Sequence, residues 1–372
     1  MRVLITGGAG FIGSHLVDRS LAMGYRVRVL DNLEPRVHVN GCPPYISKDV
    51  EFIQGDVRNK TLLANVLKGV DIISHHAAYQ DHMPDFSKFM SVNVTGTALL
   101  FELIKEKQIP VKRVIVASSQ AVYGEGQYEC PEHGRFLPSP RTIADLEQGF
   151  WDVKCPQCGR VAKPLRLREE FANPFNAYAL SKYSEEMLAI RLGRLLDVPT
   201  VALRYSITQG ARQSPFNAYS GICRIFITRL MNQEPPLLFE DGQQTRDFLH
   251  VQDLVDAHMC VLNHPEAEYH SFNVGSGRST TLLEYVQLLM KAMGIKDIQP
   301  VISGEYRVGD SRHSVSSIDK LKRLGWKPKR DLSDIFQDYL NWIYNQNIVL
   351  GTYTHADKIM RDLGVIRRIT QY

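Results

Sequence analysis

Seven residues, Gly7-Gly8-Ala9-Gly10-Phe11-Ile12-Gly13, limit more than any others what this chain can fold into. They follow the apolar run Arg2–Thr6 and open a stretch of helical period, Phe11–Met23, that Gly24 closes. Glycines at 7, 10 and 13 permit a tight strand-to-helix turn and a close backbone approach to a pyrophosphate, and the free N–H groups at the helix start favour an anion. A glycine triplet alone is a weak signal; here the strand and helix flank it. A second run, Arg26–Leu30, leads into Asp31, eighteen residues after Gly13. A carboxylate there accepts hydrogen bonds from the adenosine ribose and repels a 2′-phosphate, so the expected cofactor is NAD. Arg36 nearby keeps NADP open. Asp56 ends a third strand on the same edge and either reaches the adenine amino group or caps a turn. Phe11, Ile12, Asn32, Val57, Ala77 and Ala78 complete the expected cofactor shell.

Six β-branched-rich runs occupy the first two hundred residues: Arg2–Thr6, Arg26–Leu30, Val50–Gln54, Val70–Ser74, Arg113–Ser118 and Thr200–Tyr205. They are nearly continuous in hydrophobicity, as strands buried on both faces of a parallel sheet are. Helical stretches such as Val94–Lys107 separate them. The class expected is α/β, a doubly wound Rossmann sheet with a smaller α/β substrate domain. At 372 residues and 44% hydrophobic content the chain suits two domains and needs no disulfide to fold. The divisions expected are a cofactor domain over 1–204, interrupted by an insertion over 125–173, and a substrate domain over 205–372 from which 243–262 returns to the first. In the second domain a Thr281-x-x-Glu284 capping box starts a helix that ends at Gly294. After Ser333 a stripe of Ile335, Phe336, Tyr339, Leu340, Trp342 and Ile343 reads as core. No apolar run approaches the ~20 residues that span a bilayer, and a cytoplasmic location without membrane contact is expected. A formal charge of +4 without a concentrated Lys/Arg face argues against nucleic acid.

Tyr178 and Lys182 stand at i and i+4 and share a helix face. For the phenol, normally near ~10, to act as a base near pH 7 requires a shift of about three units, or ~4 kcal/mol. A neighbouring ammonium and a positive nicotinamide ring supply it together. By itself Tyr-x-x-x-Lys is a common surface pair; behind a glycine turn and a Ser118-Ser119 strand end it becomes a candidate catalytic set with Ser119.

The insertion holds one hexapeptide twice, Cys130-Pro131-Glu132-His133-Gly134-Arg135 and Cys155-Pro156-Gln157-Cys158-Gly159-Arg160. Two such turns direct Cys130, His133, Cys155 and Cys158 to one point, the pattern of a structural zinc ribbon; a redox disulfide or unused thiols are the alternatives. Gly134 and Gly159 permit the left-handed backbone of each turn. Cys42, Cys223 and Cys260 read as ordinary. Lying between Ser119 and Tyr178 in sequence, the insertion is expected near the mouth of the site.

The glycine turn, Ser118-Ser119-Gln120-Ala121-Val122-Tyr123-Gly124, Tyr178-x-x-x-Lys182, Arg246-Asp247-Phe248-Leu249-His250-Val251 and Arg307-Val308-Gly309-Asp310 together resemble the extended short-chain dehydrogenase/reductases that modify nucleotide sugars. The likeness spans about residues 1–340 apart from the insertion. It implies Tyr178 as base, Lys182 as its partner and nicotinamide-ribose ligand, and Ser119 as the hydroxyl contact. It further implies Asn93 beside the cofactor, Arg246 and Arg307 with Asp310 at the diphosphate, and Phe239 against the base. Dehydratases of this family carry Asp and Glu after the Ser position; Gln120 and Ala121 cannot do that acid–base work. The implied activity is therefore an NAD-dependent nucleotide-sugar 4-epimerase acting through a 4-keto intermediate. Alternatives are a nucleotide-sugar dehydrogenase or dehydratase, and a non-catalytic NAD-sensing module. Ser206-Ile207 in place of Phe-Asn, and Gln80 in an unusual loop with Tyr79 and His82, depart from UDP-galactose 4-epimerases; the branch is nearer dTDP-L-rhamnose 4-epimerase-like proteins. Gln80, His82 and Gln120 are expected to meet the sugar. His75 and His76 read as packing residues. The resemblance also implies a homodimer through Val94–Lys107 and Tyr178–Arg194.

Overall fold

A computed structural model describes residues 1–81, 83–215, 221–346 and 352–369, the last including only backbone for 352–356. Seven parallel strands form its central sheet: β1 (Arg2–Thr6), β2 (Arg26–Asp31), β3 (Glu51–Gln54), β4 (Ile72–His75), β5 (Arg113–Ser119), β6 (Thr200–Tyr205) and β7 (Ser271–Val274). Their spatial order is β7-β6-β5-β4-β1-β2-β3. From β1 the chain winds outward through β2 and β3, then crosses back to β4 and winds the other way. The crevice where such a sheet changes direction, at the carboxyl ends of β1 and β4, is where doubly wound folds bind ligands.

The near-continuous apolar runs are explained by cover on both faces. Helices α1 (Phe11–Ala22) and α5 (Val251–Leu262) bring Leu16, Val17, Leu254, Val255 and Val261 to Val3, Ile5 and Val29 on one face. On the other, α2 (Lys60–Val66), α3 (Gly96–Glu106) and α4 (Ala177–Leu195) bring Leu63, Leu100, Phe101, Ile104 and Ala189 to Leu4, Ile73 and Val116. Ladder pairing carries β2 to Asp31 and β5 to Ser119, one residue beyond each apolar run. The helix expected over Val94–Lys107 differs. A turn of helix at Phe86–Phe89 runs into a wide π turn, Met90–Thr95, and α3 begins only at Gly96.

The return to the sheet is longer than 243–262. Phe248–His250 pairs with Ile207–Gln209, α5 follows, and the chain stays in the layer to form edge strand β7. Phe272 and Val274 join the first core, which explains why the excursion cannot end at 262. A separate core gathers Phe226, Phe248, Tyr285, Phe336 and Tyr339. Around it stand helices Ile222–Met231, Leu282–Ala292 and Leu332–Ile343. Thr281 caps the second by accepting from Glu284 N; the reciprocal capping box forms instead at Asp331 and Asp334 of the third.

The insertion is a small antiparallel sheet of Tyr128–Cys130, Gly134–Phe136 and Lys163–Pro164, closed over Tyr128, Val153 and Ala162. At the other end of the chain Ile366–Arg368 pairs antiparallel with Glu305–Arg307, so the tail, which suggested no role in sequence, stiffens the strand that carries Arg307. No described helix is long and apolar enough to cross a membrane.

Candidate active site

A cleft of about 750 Å³ opens over the carboxyl ends of the strands, between the sheet and the second core. Its floor is the glycine turn. Gly7 has φ +68°, and a Cβ on Gly13 would lie 2.1 Å from the Gly7 carbonyl oxygen, so nothing larger than hydrogen fits at 13. Gly10 caps α1 without a side chain and no acidic residue sits in the first turn, leaving the helix N–H groups open to the cleft. Asp31 braces this turn: Oδ2 accepts from Ala9 N and Oδ1 from Leu33 N, both at 2.9 Å. Each oxygen keeps a second lone pair. An uncapped helix start above a cradle that a Cβ would fill is the fit a dinucleotide pyrophosphate requires.

Arg36 is turned away from Asp31. Its guanidinium donates to Asp81 Oδ2 at 2.6 Å and to the Tyr79 hydroxyl at 2.9 Å. The imidazole 4.0 Å from Asp31 belongs to His38, and burial holds its pKa below the ordinary value. The balance of charge favours unphosphorylated ribose.

Gly7, Gly10, Phe11, Ile12, Gly13, Ala78, Gln80, Ser119, Gln120, Tyr178, Lys182, Phe239, Arg246, Arg307 and Asp310 all line the cleft. Other expected positions do not. Asp56 is taken by Arg58, whose backbone and guanidinium both donate to it, and these bonds hold its carboxyl below the usual range; the turn cap is what the structure shows. Val57 is buried against Gly96, and Ala77 packs against the sheet core on the α2, α3 and α4 face. Asn32 is exposed near Asp56. Asn93 is fully buried in the π turn, where it accepts from Tyr79 N and donates to Tyr79 O and Ser181 Oγ. It ties the Tyr79 loop to α4 and does not face the cleft. His82 lies outside the described residues.

Ser119 ends β5 and caps the next turn, accepting from Ala121 N at 3.1 Å; its hydroxyl proton remains available. Asn176 caps α4 by accepting from Ala179 N, which sets Tyr178 on the first turn facing the cleft. The Tyr178 hydroxyl bonds to no described residue. One turn on, Lys182 is buried and donates to Glu185 at 2.5 Å. His75 bonds to the Thr6 and Thr97 hydroxyls, and burial, aided by Lys182, pushes its pKa down to about 3. His76 stacks on Tyr205 with ring centroids 6.0 Å apart. Both imidazoles are neutral; His75 packs inside, whereas His76 also lines the cleft.

On the far wall, Arg246 donates to the carbonyls of Ser311 and Arg312. Arg307 lies 5.7 Å from the Phe239 ring centre and 3.4 Å from Asp310. Trp342 of the apolar stripe also reaches this wall.

Sequence reading passed over two parts of the site. Residues 37–45 form a strap across the glycine turn: the Tyr45 hydroxyl donates to Ala9 O at 2.9 Å, and the Arg212 guanidinium covers the Tyr45 ring at 4.7 Å. Pro43-Pro44 with Gly41 reads only as a loop, with no periodic signal. The other is Arg141 of the insertion. It donates to Glu125 and Glu240 at 2.9 Å, to Trp151 O at 3.0 Å and to Asp310 O at 2.7 Å.

The cluster of Cys130, His133, Cys155 and Cys158 has all four donor atoms within 4.8 Å of one another. The sulfurs of Cys130 and Cys158 are 3.7 Å apart, and His133 Nδ1 lies 3.6 and 3.5 Å from those of Cys130 and Cys155. Bond lengths of about 2.3 Å to sulfur and about 2.0 Å to nitrogen around a tetrahedral ion demand edges of roughly 3.5–3.8 Å. Gly134 and Gly159 take the left-handed φ, +72° and +70°, that each turn needs.

Gly13→Ala drives a methyl into backbone that cannot move. It is expected to cost ~1–3 kcal/mol of stability and to yield protein without bound dinucleotide. Calorimetry and cofactor content after perchloric-acid extraction check this.

Comparison with known proteins places the chain. The model of the NAD dependent epimerase/dehydratase family matches residues 3–142 and 156–275. The dTDP-L-rhamnose 4-epimerase of Burkholderia thailandensis is 31% identical over 350 residues, which is 92% of this chain and 94% of that one. The UDP-glucose 4-epimerase of Thermotoga maritima, solved with UDP-glucose, superposes with TM-score 0.74 at 26% identity, covering 92% and 99% of the two chains. That of Thermus thermophilus, solved with NAD, gives 0.70 at 28% identity, covering 93% and 99%.

Proposed function

The chain belongs to the NAD dependent epimerase/dehydratase family, and on that premise we propose that it is an NAD-dependent nucleotide-sugar 4-epimerase. One observation carries the reading: Tyr178, Lys182 and Ser119 line one cleft beside the glycine turn, and the two residues after Ser119 are Gln120 and Ala121. No carboxylate stands there to drive dehydration.

When bound, NAD would supply the hydride acceptor and donor that oxidation and re-reduction at C4 require. Tyr178 takes the proton of the C4 hydroxyl as the hydride leaves and gives it back after the 4-keto sugar has turned over. Lys182 stabilises the phenolate, and the Ser119 hydroxyl holds the same oxygen. Arg246 and Arg307 hold the diphosphate, Phe239 stacks on the base, and Gln80 with Gln120 meets the sugar. Gly7, Gly10, Phe11, Ile12, Gly13 and Ala78 cradle NAD, with Asp31 at its ribose. The strap over the glycine turn suits a cofactor kept through the cycle, as an epimerase needs.

The insertion is a zinc ribbon with Cys130, His133, Cys155 and Cys158 as ligands; four protein donors leave no open position, so the ion stabilises the fold and takes no part in chemistry. A cytoplasmic setting, where thiols stay reduced, suits that cluster. The cofactor domain comprises 1–204 without the insertion, together with the return through β7. The partner is a second copy, joined through α3 and α4.

Arg141 binds the insertion to the diphosphate wall. Arg141→Lys keeps the charge but cannot serve four acceptors in a fixed fork. It is expected to raise KM for the nucleotide sugar about tenfold while NAD content stays unchanged, read from initial rates and extraction.

Turnover of UDP-, dTDP-, GDP- and CDP-sugars followed by proton NMR tests the activity. Interconversion at C4 without net NADH is expected. Stoichiometric NADH release, or a 4-keto-6-deoxy product, would overturn the assignment.

A further inference from the structure

In a Tyr-x-x-x-Lys site the lysine is expected to act as a free cation. Here it is half of an ion pair. Lys182 Nζ donates to Glu185 Oε2 at 2.5 Å across one helical turn, with side chains only 2% and 1% exposed. The second oxygen of Glu185 is buried and has no partner among the described residues. A carboxylate in that position is costly to keep, and bracing the helix does not explain it. That task falls to Glu186, which bonds to Ser118 and receives the Arg204 guanidinium. Glu185 has one described hydrogen-bonding partner, the ammonium that shares the cleft with Tyr178.

Glu186 is paired with Arg204 of β6, yet its charge still adds to the upward push on the Glu185 carboxyl. His75 and His76 at the end of β4 are neutral through burial, an effect to which Lys182 adds. Asn93 of the π turn and Thr97 of α3, which bond to Ser181 and His75, carry no charge, and burial keeps the Tyr123 phenol protonated. Burial pushes the Glu185 carboxyl upward, and the ammonium opposes that push.

We propose that Glu185 is a positioning residue that holds the Lys182 ammonium and sets how much positive charge reaches Tyr178. An epimerase base must return its proton as readily as it takes it. A full, unscreened cation beside the phenol would favour the phenolate on both halves of the cycle and slow the return. The ion pair tempers that bias. This inference rests on the Tyr178 and Lys182 roles proposed above.

Glu185→Gln keeps the shape and an acceptor but removes the charge. In the holoenzyme its acidic limb of kcat against pH is expected to move down by roughly one unit, with KM for the nucleotide sugar unchanged. Glu185→Asp draws the carboxylate back by one methylene and is expected to move the limb the same way by less. A limb in Glu185→Gln that coincides with the wild type overturns the proposal. Should that variant not accumulate as folded holoenzyme, an unmoved limb in Glu185→Asp does so. Tyr178→Phe is run alongside: full activity there sinks the assignment of the base, a failure distinct from either Glu185 result.

Discussion

Tyr178→Phe is expected to fold, to retain NAD, and to lose about 10³-fold or more of kcat. General acid–base catalysis by one placed group contributes typically ~10²–10⁴-fold, and the described groups near Tyr178 are poor substitutes for it. Ser119 has its oxygen engaged by Ala121 N and holds only a hydroxyl proton. His75 is buried and neutral, and His76, which lines the cleft, is held neutral by its surroundings and stacks on Tyr205. The substitution removes one oxygen that bonds to no described residue, so the protein should melt within about 0.5 kcal/mol of the parent, as substitutions that break no buried contact do. NMR turnover, cofactor extraction and calorimetry on one preparation separate the outcomes. A variant that keeps a tenth of the parental rate would show that the proton travels elsewhere.

The second large effect is expected from Cys155→Ser combined with Cys158→Ser. Apart from the proposed ligands, the insertion has a small apolar centre of Tyr128, Val153 and Ala162, with Leu146 and Leu167 buried outside it. That is far too little to order some fifty residues against ~1–2 kcal/mol of backbone entropy each. Zinc binding in small domains is worth about 10–16 kcal/mol and is there inseparable from folding. Without it the segment between 125 and 173 should become cleavable by trypsin, while the seven-stranded sheet, with its own two cores, persists. Because Arg141 of the insertion reaches Glu240, and Arg312 ties Glu125 and Asp152 of the insertion to Glu240 and Asp241, KM for the nucleotide sugar should rise in the same preparation with NAD retained. Atomic absorption should find one zinc per parental chain and none in the variant. An unchanged tryptic pattern and melting temperature in the double variant would exclude a structural metal.

What could be read from the chain alone was local. The strand, glycine turn and helix of residues 2–22 are contiguous, so their chemistry is written within one short window. The same holds for Tyr178 and Lys182 on one helix face and for each cysteine hexapeptide. The runs that form β1 to β6 were visible because burial on both faces leaves no polar alternation. Glu185 was also local, three residues after Lys182, but a glutamate on a helix says nothing until it is known to be buried.

Residues whose role depends on a distant partner were misjudged or missed. Asn93 was expected beside the cofactor, yet the π turn directs it inward to Tyr79 and Ser181, the latter 88 residues away in sequence. Arg36 left the choice of cofactor open until Asp81, 45 residues away in sequence, was found to hold it. The strap on Ala9 and the grip of Arg141 on Glu240 had no pattern at all. Sequence by itself determined the sheet, the turn at its edge and the chemical groups available. Only tertiary structure decided which of those groups remain free to meet a ligand, because a long charged side chain is claimed by whichever partner the fold brings within about 3 Å.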